Sequence, residues 1–341
     1  MSIINSLNGT IEKAKVTIIF FMVIVTGISF GIGLYLVFFT NLGGDINWDD
    51  NVPLDFLLLS IFGFQTIYFN LGLTFLFFWF VYLICYIYCF LKPISLKELP
   101  LLRAIVRSDA ANTQIVKKKG SGVSYNYLMI TLSWFSAYFI LSILIDVIQQ
   151  VFGVKLGNPL TDNPLLSFFY LSAAPLNEEI FFRVILMGLP LFLIFVPLGK
   201  GKFLSTLNHP YSSIQEHKGK FTIIGIFIII VLSSFVFGLS HVIFGGGYEI
   251  GKITQAALGG LIIGWIYYRY GLSSAITFHW TSNYVFFAYS ILGFYLFRTP
   301  WNTESDNILL GMVSIGFITI GILFLYQLTS KILKKYVIKQ N

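Results

Sequence analysis

The amino-acid sequence predicts an all-α protein, a polytopic membrane helix bundle of about eight transmembrane helices. Composition is the first observation, because charged residues make up 11% of the chain and hydrophobic residues 56%. Soluble globular domains carry roughly 25% charged residues. The second observation is that apolar stretches of the length that crosses a bilayer as a helix, about 20 residues, recur along the chain. We therefore expect an integral, multi-pass protein of the cell membrane.

Eight apolar stretches are predicted to cross the membrane. They lie at 16–39, 69–91, 127–150, 164–198, 221–244, 253–270, 272–297 and 308–330. The stretch 54–68 is shorter and contains Gln65, so an interfacial or re-entrant segment is predicted there. The chain divides into N-terminal helices with a cytosolic loop (1–160), a helical core (161–300) and a last helix with a basic tail (301–341).

The basic residues predict the orientation of the bundle. With eight spans, most of the 22 Lys and Arg residues fall on the side that holds both termini and the loops 92–126 and 199–220. Loops rich in Lys and Arg face the cytosol, so both termini are predicted to be cytosolic. The net charge of +7 then follows from membrane topology, and nucleic acid is not an expected partner.

Three charged residues lie close together inside the fourth predicted span, in the sequence NEEIFFR. An ionisable group at the centre of a bilayer costs roughly 3 kcal/mol, so it usually has a partner or a function. Glu179 and Arg183 are spaced i, i+4 and are predicted to form a structural ion pair. Glu178 points to another side of the helix and has no local cation. It is therefore a candidate general base.

Two other spans contribute histidines. Phe237 and His241 are one helical turn apart near the end of the fifth span, and His279 and Asn283 are i, i+4 in the seventh. Each pair alone is compatible with a structural role. Polar side chains that avoid lipid converge inside a bundle. A glutamate, two histidines and an asparagine brought together in this way are the components of a hydrolytic site.

Two kinds of chemistry suit these residues. In one, Glu178 and His241 hold and deprotonate a water, while His279 and Asn283 donate hydrogen bonds to the oxyanion formed on an amide carbonyl. In the other, Glu178, His241 and His279 bind a divalent metal such as zinc, because some catalytic zinc sites use a His₂Glu ligand set. The compact HExxH pattern is absent from the sequence. Both alternatives stay open here, so no cofactor is certain.

The same residues resemble the motifs of the CPBP family of intramembrane proteases. This family includes the type II CAAX prenyl endopeptidases (Rce1-like) and proteins of bacteriocin processing and immunity. The motif EExxxR corresponds to Glu178–Arg183, FxxxH to Phe237–His241, and HxxxN to His279–Asn283. The three motifs occur in the family's order, and the resemblance covers roughly 165–295.

The resemblance implies roles for these positions. Glu178 and His241 would activate the water, and His279 and Asn283 would stabilise the oxyanion. The remaining motif residues, Glu179, Arg183 and Phe237, would support the site.

The resemblance also implies an activity, that of an intramembrane endopeptidase that hydrolyses a peptide bond. The partners would be membrane lipid and a membrane-associated or prenylated (CAAX-type) peptide or protein. The alternative is a non-proteolytic membrane protein, such as a bacteriocin immunity factor, a scaffold or a transporter. In such a protein the same polar residues would form a structural network.

Overall fold

Helices account for nearly all of the regular structure. The computed structural model describes residues 2–55, 66–94, 125–196, 202–214, 219–245, 247–301 and 307–340. It is 79% helical with almost no sheet, which confirms the predicted all-α class. Most of the predicted cytosolic loop 92–126, and the middle of the predicted interfacial segment 54–68, lie outside the described residues.

The described residues of the N-terminal part form three long helices and a small antiparallel strand pair. Its elements are α1 (Ser2–Phe39), β1 (Asn51–Leu54), β2 (Ile67–Asn70), α2 (Leu71–Leu91) and α3 (Tyr127–Val151). Asparagine side chains cap the last two helices: Asn70 accepts a hydrogen bond from the Leu73 amide, and Asn126 accepts one from the Met129 amide. Such caps satisfy amides that have no partner inside the helix.

The C-terminal part contains the remaining predicted spans. Two of them are helices interrupted by π-helical turns. The elements are α4 (Pro164–Glu179), the first π segment (Ile180–Gly188), α5 (Leu189–Phe195), α6 (Phe203–Asn208), α7 (Pro210–Ile214), α8 (Lys220–Ile243), α9 (Gly251–Tyr270), α10 (Leu272–Trp280), the second π segment (Thr281–Val285), α11 (Phe286–Phe297) and α12 (Ile308–Gln340).

Five of the described helices are long and apolar enough to cross a membrane. They are Ala14–Phe39, Leu71–Leu91, Tyr127–Val151, Lys220–Ile243 and Ile308–Ser330. Among the other three predicted spans, 164–198 and 272–297 hold five of the seven motif residues and are divided by the π segments. Because the π segments divide these two spans, neither forms one continuous long α-helix. The protein is an integral membrane helix bundle, as predicted.

A tyrosine hydroxyl binds the backbone groups of α4 that lie next to a proline. Pro175 lies inside α4 and cannot donate a backbone hydrogen bond. One residue later, the Tyr82 hydroxyl from α2 accepts a hydrogen bond from the Leu176 amide (3.2 Å) and donates one to the Ser172 carbonyl (2.5 Å). The hydroxyl thus bridges a helical bond that would otherwise join these two groups. It fixes α4 one turn before the two glutamates.

Glycines allow α8 and α9 to approach closely. A Cβ at Gly238 would lie 2.6 Å from the Ile253 carbonyl oxygen, and one at Gly260 would lie 3.1 Å from Ser234 Cα. Gly264 faces α8 in the same way, with Ile230 Cγ2 3.2 Å from its Cβ position. These small residues therefore serve packing within the bundle. The close contact holds the end of α8, which carries His241, against the start of α9.

Candidate active site

The two glutamates occupy the last turn of α4, directly before the first π segment. π turns, which widen a helix by one residue, are frequent at functional sites. Here the widened turn begins at Ile180 and includes Arg183. Local sequence therefore places Glu178 and Glu179 at a change of helical geometry, and they point to different neighbours.

Glu179 forms the predicted ion pair with Arg183. Its Oε2 atom accepts a hydrogen bond from Arg183 Nε at 2.9 Å, and both side chains are fully buried. Its other oxygen, Oε1, accepts a hydrogen bond from His279 Nδ1, also at 2.9 Å. Each carboxylate oxygen thus has a close donor. Glu179 joins the α4 span to the α10 span and fixes the orientation of the His279 ring.

Helix α8 supports the Arg183 guanidinium. Arg183 Nη1 donates to Ser233 Oγ at 3.4 Å, and the Phe237 ring lies 5.1 Å from Arg183 Cζ. The same ring lies 4.7 Å from that of His241 and 5.9 Å from that of His279. Phe237 therefore packs against the cation and both histidines, which explains why an aromatic residue occurs one turn before His241.

Hydrogen bonds to Nδ1 determine the tautomer of both histidines. His241 Nδ1 is 2.8 Å from the Phe237 carbonyl oxygen, and His279 Nδ1 is bonded to the Glu179 carboxylate. A carbonyl and an ionised carboxylate only accept hydrogen bonds, so each Nδ1 must carry a proton. In a neutral imidazole the other nitrogen, Nε2, is then an acceptor with a free lone pair.

Glu178 lies between the two Nε2 atoms. Its Oε2 atom is 3.9 Å from His241 Nε2 and 3.8 Å from His279 Nε2. Both distances are too long for a direct hydrogen bond. This oxygen is buried and has no hydrogen-bond partner among the described residues. Three acceptor atoms thus converge on a small space, and a species that brings protons, such as a water, would satisfy them.

Asn283 lies one turn after His279, in the second π segment, and is half-buried. Its Oδ1 atom accepts a hydrogen bond from Ser282 Oγ at 2.7 Å. The amide nitrogen of Asn283 donates to no group among the described residues, so it is available as a donor. The structure brings Glu178, His241 and His279 together directly, whereas Asn283 shares a helical run with His279.

The structure adds two residues that sequence reasoning missed. The Tyr248 ring lies 5.6 Å from that of His241, and Lys252 Nζ lies 4.7 Å from the Tyr248 ring centre. Burial raises the pKa of Tyr248, so its hydroxyl stays neutral. Lys252 directly precedes the predicted span 253–270, and this position gives no sign of a role at the site. The run of three glycines at 245–247, which suits a tight chain reversal, is the signal that this segment returns towards His241.

The metal alternative for Glu178, His241 and His279 is not supported by their geometry. The donor types suit a divalent cation, but the oxygen lies 3.8–3.9 Å from the two nitrogens. Ligand atoms of a tetrahedral zinc with bonds of about 2.0–2.1 Å stand only about 3.4 Å apart. In the described part of the chain, no group of three or more His, Cys, Asp or Glu side chains is arranged to hold a metal ion.

Comparison with known proteins finds a family model that matches part of the chain. The model of the type II CAAX prenyl endopeptidase Rce1-like family matches residues 161–285. No curated protein and no solved structure matches the chain. The matched range contains all three motifs and every residue of the cluster around Glu178. Residues 161–285 of this chain are therefore similar to the Rce1-like family, the family that its motifs resemble.

Proposed function

We propose that this protein is an intramembrane endopeptidase that hydrolyses a peptide bond in a membrane-associated, CAAX-type substrate. A water activated by Glu178 and His241 is the proposed nucleophile. One observation carries the proposal: the buried Glu178 Oε2 atom has no hydrogen-bond partner among the described residues and faces the Nε2 atoms of His241 and His279. A site built only for stability would satisfy such a group.

A water in this space has suitable partners for activation. It donates one hydrogen bond to the Glu178 carboxylate and one to His241 Nε2, which leaves an oxygen lone pair for attack on the substrate carbonyl. Glu178 accepts a proton as the carbon–oxygen bond forms, and later returns it to the leaving amine. His241 is ready for this task because its Nδ1 proton is bonded to a backbone carbonyl.

The developing oxyanion is assigned to His279 and Asn283. His279 Nδ1 is bonded to Glu179, so His279 donates to the oxyanion only after its Nε2, an acceptor in the resting site, takes up a proton from solvent as the oxyanion forms. The Glu179 carboxylate stabilises that imidazolium, as an acidic partner does in catalytic triads. The free amide nitrogen of Asn283 supplies a second donor. Donors directed at an oxyanion in a site that excludes water typically contribute 10²–10³-fold to kcat.

The experiment is cleavage of a peptide panel by purified protein in liposomes. Farnesylated CAAX peptides and matched unprenylated peptides are offered to the parent protein and to Glu178→Gln, each with and without a chelator. The matched control is Glu249→Gln, the same change at an exposed carboxylate. We expect the parent and the control to cut, and Glu178→Gln to lose about 10²–10⁴-fold in rate, the typical contribution of a general base.

Two results would contradict the proposal. Folded parent protein that cuts no peptide of the panel would favour the non-proteolytic alternative. Cleavage by Glu178→Gln at the parental rate would remove Glu178 from the mechanism. The chelator arm tests the metal alternative separately, since activity that resists chelation is expected for water activation by Glu178 and His241 alone.

A further inference from the structure

We propose that Lys252 binds the free C-terminal carboxylate of the substrate and so selects peptides that are cut close to their end. The proposal rests on the proposed peptidase function and adds a specificity residue to it. Lys252 belongs to none of the three family motifs. Its position next to the cluster is visible only in the structure, through the Tyr248 ring, which lies close to both Lys252 and His241.

Neutral groups hold the Lys252 ammonium in place. Its Nζ atom donates to Gln255 Oε1 at 2.8 Å, and Gln255 Nε2 donates in turn to Ser142 Oγ at 2.7 Å. The ring of Tyr248 covers another side at 4.7 Å. An ammonium has three N–H donors. Gln255 accepts a hydrogen bond from one of them, and the Tyr248 ring covers a second. One donor direction is left for a ligand.

The charge of Lys252 has no close partner in the described residues. Its side chain is half-buried, and no carboxylate of the described chain lies within ion-pair distance of it. The carboxylates that act on it electrostatically are those of Glu178 and Asp146. A partly buried cation that lacks an anionic partner is costly, and an anion carried by the substrate would supply one.

The distance from the reacting atoms favours a terminal carboxylate over the oxyanion. Lys252 is connected to the Glu178 carboxylate through successive contacts with the rings of Tyr248 and His241, and no direct contact of Lys252 with Glu178 occurs in the described residues. An extended peptide covers about 3.3–3.6 Å per residue. The successive contacts from Glu178 to Lys252 therefore correspond to at most about four extended residues between the cut bond and the C-terminus of the peptide. A peptide with a long C-terminal extension would place no charge there.

The test measures peptide binding to a protein that does not turn the peptide over. The probe is one fluorescent farnesylated CAAX peptide, prepared with a free C-terminal acid and with a C-terminal amide. Its Kd is measured by anisotropy with Glu178→Gln protein in nanodiscs. Lys252→Met, Lys252→Arg and Lys155→Met are each added to that background. Lys155 is the matched control because it is an exposed cation that approaches the start of α9 only through its backbone.

We expect the acid to bind at least about tenfold more tightly than the amide, which corresponds to a hydrogen bond between charged groups. Lys252→Met should weaken binding of the acid peptide until its Kd equals that of the amide peptide, and it should leave the Kd of the amide peptide unchanged. Lys252→Arg should keep most of the preference, and Lys155→Met should keep all of it.

Three outcomes overturn the inference. The acid and amide peptides bind with equal affinity, neither peptide binds, or Lys252→Met weakens the binding of both peptides by the same factor. The last outcome would indicate a structural role. Cleavage by the otherwise unmodified protein, measured in parallel, separates this inference from the proposed function. Intact cleavage without an acid preference refutes only the role of Lys252. An acid preference without cleavage by that protein refutes only the peptidase.

Discussion

Glu178→Gln is expected to stop cleavage without lowering the free energy of unfolding. The substitution keeps the shape of the side chain and replaces one carboxylate oxygen by an amide NH₂ group. The Oε2 atom of Glu178 has no hydrogen-bond partner in the described chain and faces two acceptor nitrogens, of His241 and His279. An NH₂ group in this place can donate hydrogen bonds to those two nitrogens. Three acceptor atoms without a proton between them are thereby replaced by hydrogen-bonded pairs.

The magnitude follows from these contacts. A buried polar group without a partner costs about 1–3 kcal/mol, and only part of this is recovered because the present separations of 3.8–3.9 Å must shorten. We therefore expect Glu178→Gln to leave the free energy of unfolding unchanged or to raise it by up to about 2 kcal/mol. The gain arises from removing a charge that the reaction requires and the fold does not.

Glu179→Gln is the matched control, the same substitution one residue later. Glu179 has a donor at 2.9 Å on each oxygen, Arg183 on one and His279 on the other. Breaking a buried ion pair by removing one partner typically costs 3–5 kcal/mol. The new amide would also donate to His279 Nδ1, which moves the imidazole proton to Nε2. Glu179→Gln should therefore lose both stability and activity.

The assay is equilibrium unfolding in mixed micelles of a mild detergent and SDS, with cleavage measured on the same preparations. The reasoning is refuted if Glu178→Gln unfolds more easily than the parent by about 1 kcal/mol or more and still cuts at the parental rate. That pair of results is what a structural polar network predicts, since a lost hydrogen-bond partner lowers stability. Equal destabilisation by Glu178→Gln and Glu179→Gln would also show that Glu178 is structurally bonded.

Three further substitutions probe the site and its supports. Asn283→Asp keeps the acceptor for Ser282 but removes the amide donor, so kcat should fall about 10²–10³-fold with little change in KM. Gly238→Ala places a Cβ 2.6 Å from a carbonyl oxygen of α9 and should lower stability by about 1–3 kcal/mol and reduce cleavage, whereas Gly31→Ala meets nothing within 4 Å and should do neither. Asn163→Ala removes the N-cap of α4 and should lower the free energy of unfolding by about 1 kcal/mol in the same SDS titration.

Features that depend on spacing along one helix were predictable from the sequence. Within the described residues, each of the eight apolar stretches is mostly helical, and the i, i+4 spacing of Glu179 and Arg183 gives the ion pair that was expected. Helical periodicity alone determines such neighbours. Helices α1 and α12 extend beyond the predicted spans, to Ser2 and Gln340, because an apolar pattern marks where a helix is inside the membrane and not where the helix ends.

Contacts between helices could not be predicted in the same way. The bond from His279 to Glu179 depends on how two helices are rotated about their own axes, and the first π segment shifts this rotation after Glu179. Lys252 approaches the cluster because the chain reverses between α8 and α9. Neither feature leaves a periodic signal in the sequence. Sequence reasoning could therefore name the chemical groups of the site but not the way in which they are connected.

The exposure of the side chains separates support from chemistry within one cluster. Glu179 is fully buried and His279 is 6% exposed, whereas His241 is 14% and Glu178 23% exposed. Hydrogen bonding follows the same order, since Glu179 has a donor on each oxygen and the buried Glu178 oxygen has none among the described residues. A reactive group must be accessible and must have hydrogen-bonding capacity left for the substrate or water. The group that orients it must be buried and fully hydrogen-bonded. Two adjacent glutamates can therefore take opposite roles, and a substrate should meet the cluster at Glu178 and His241 first.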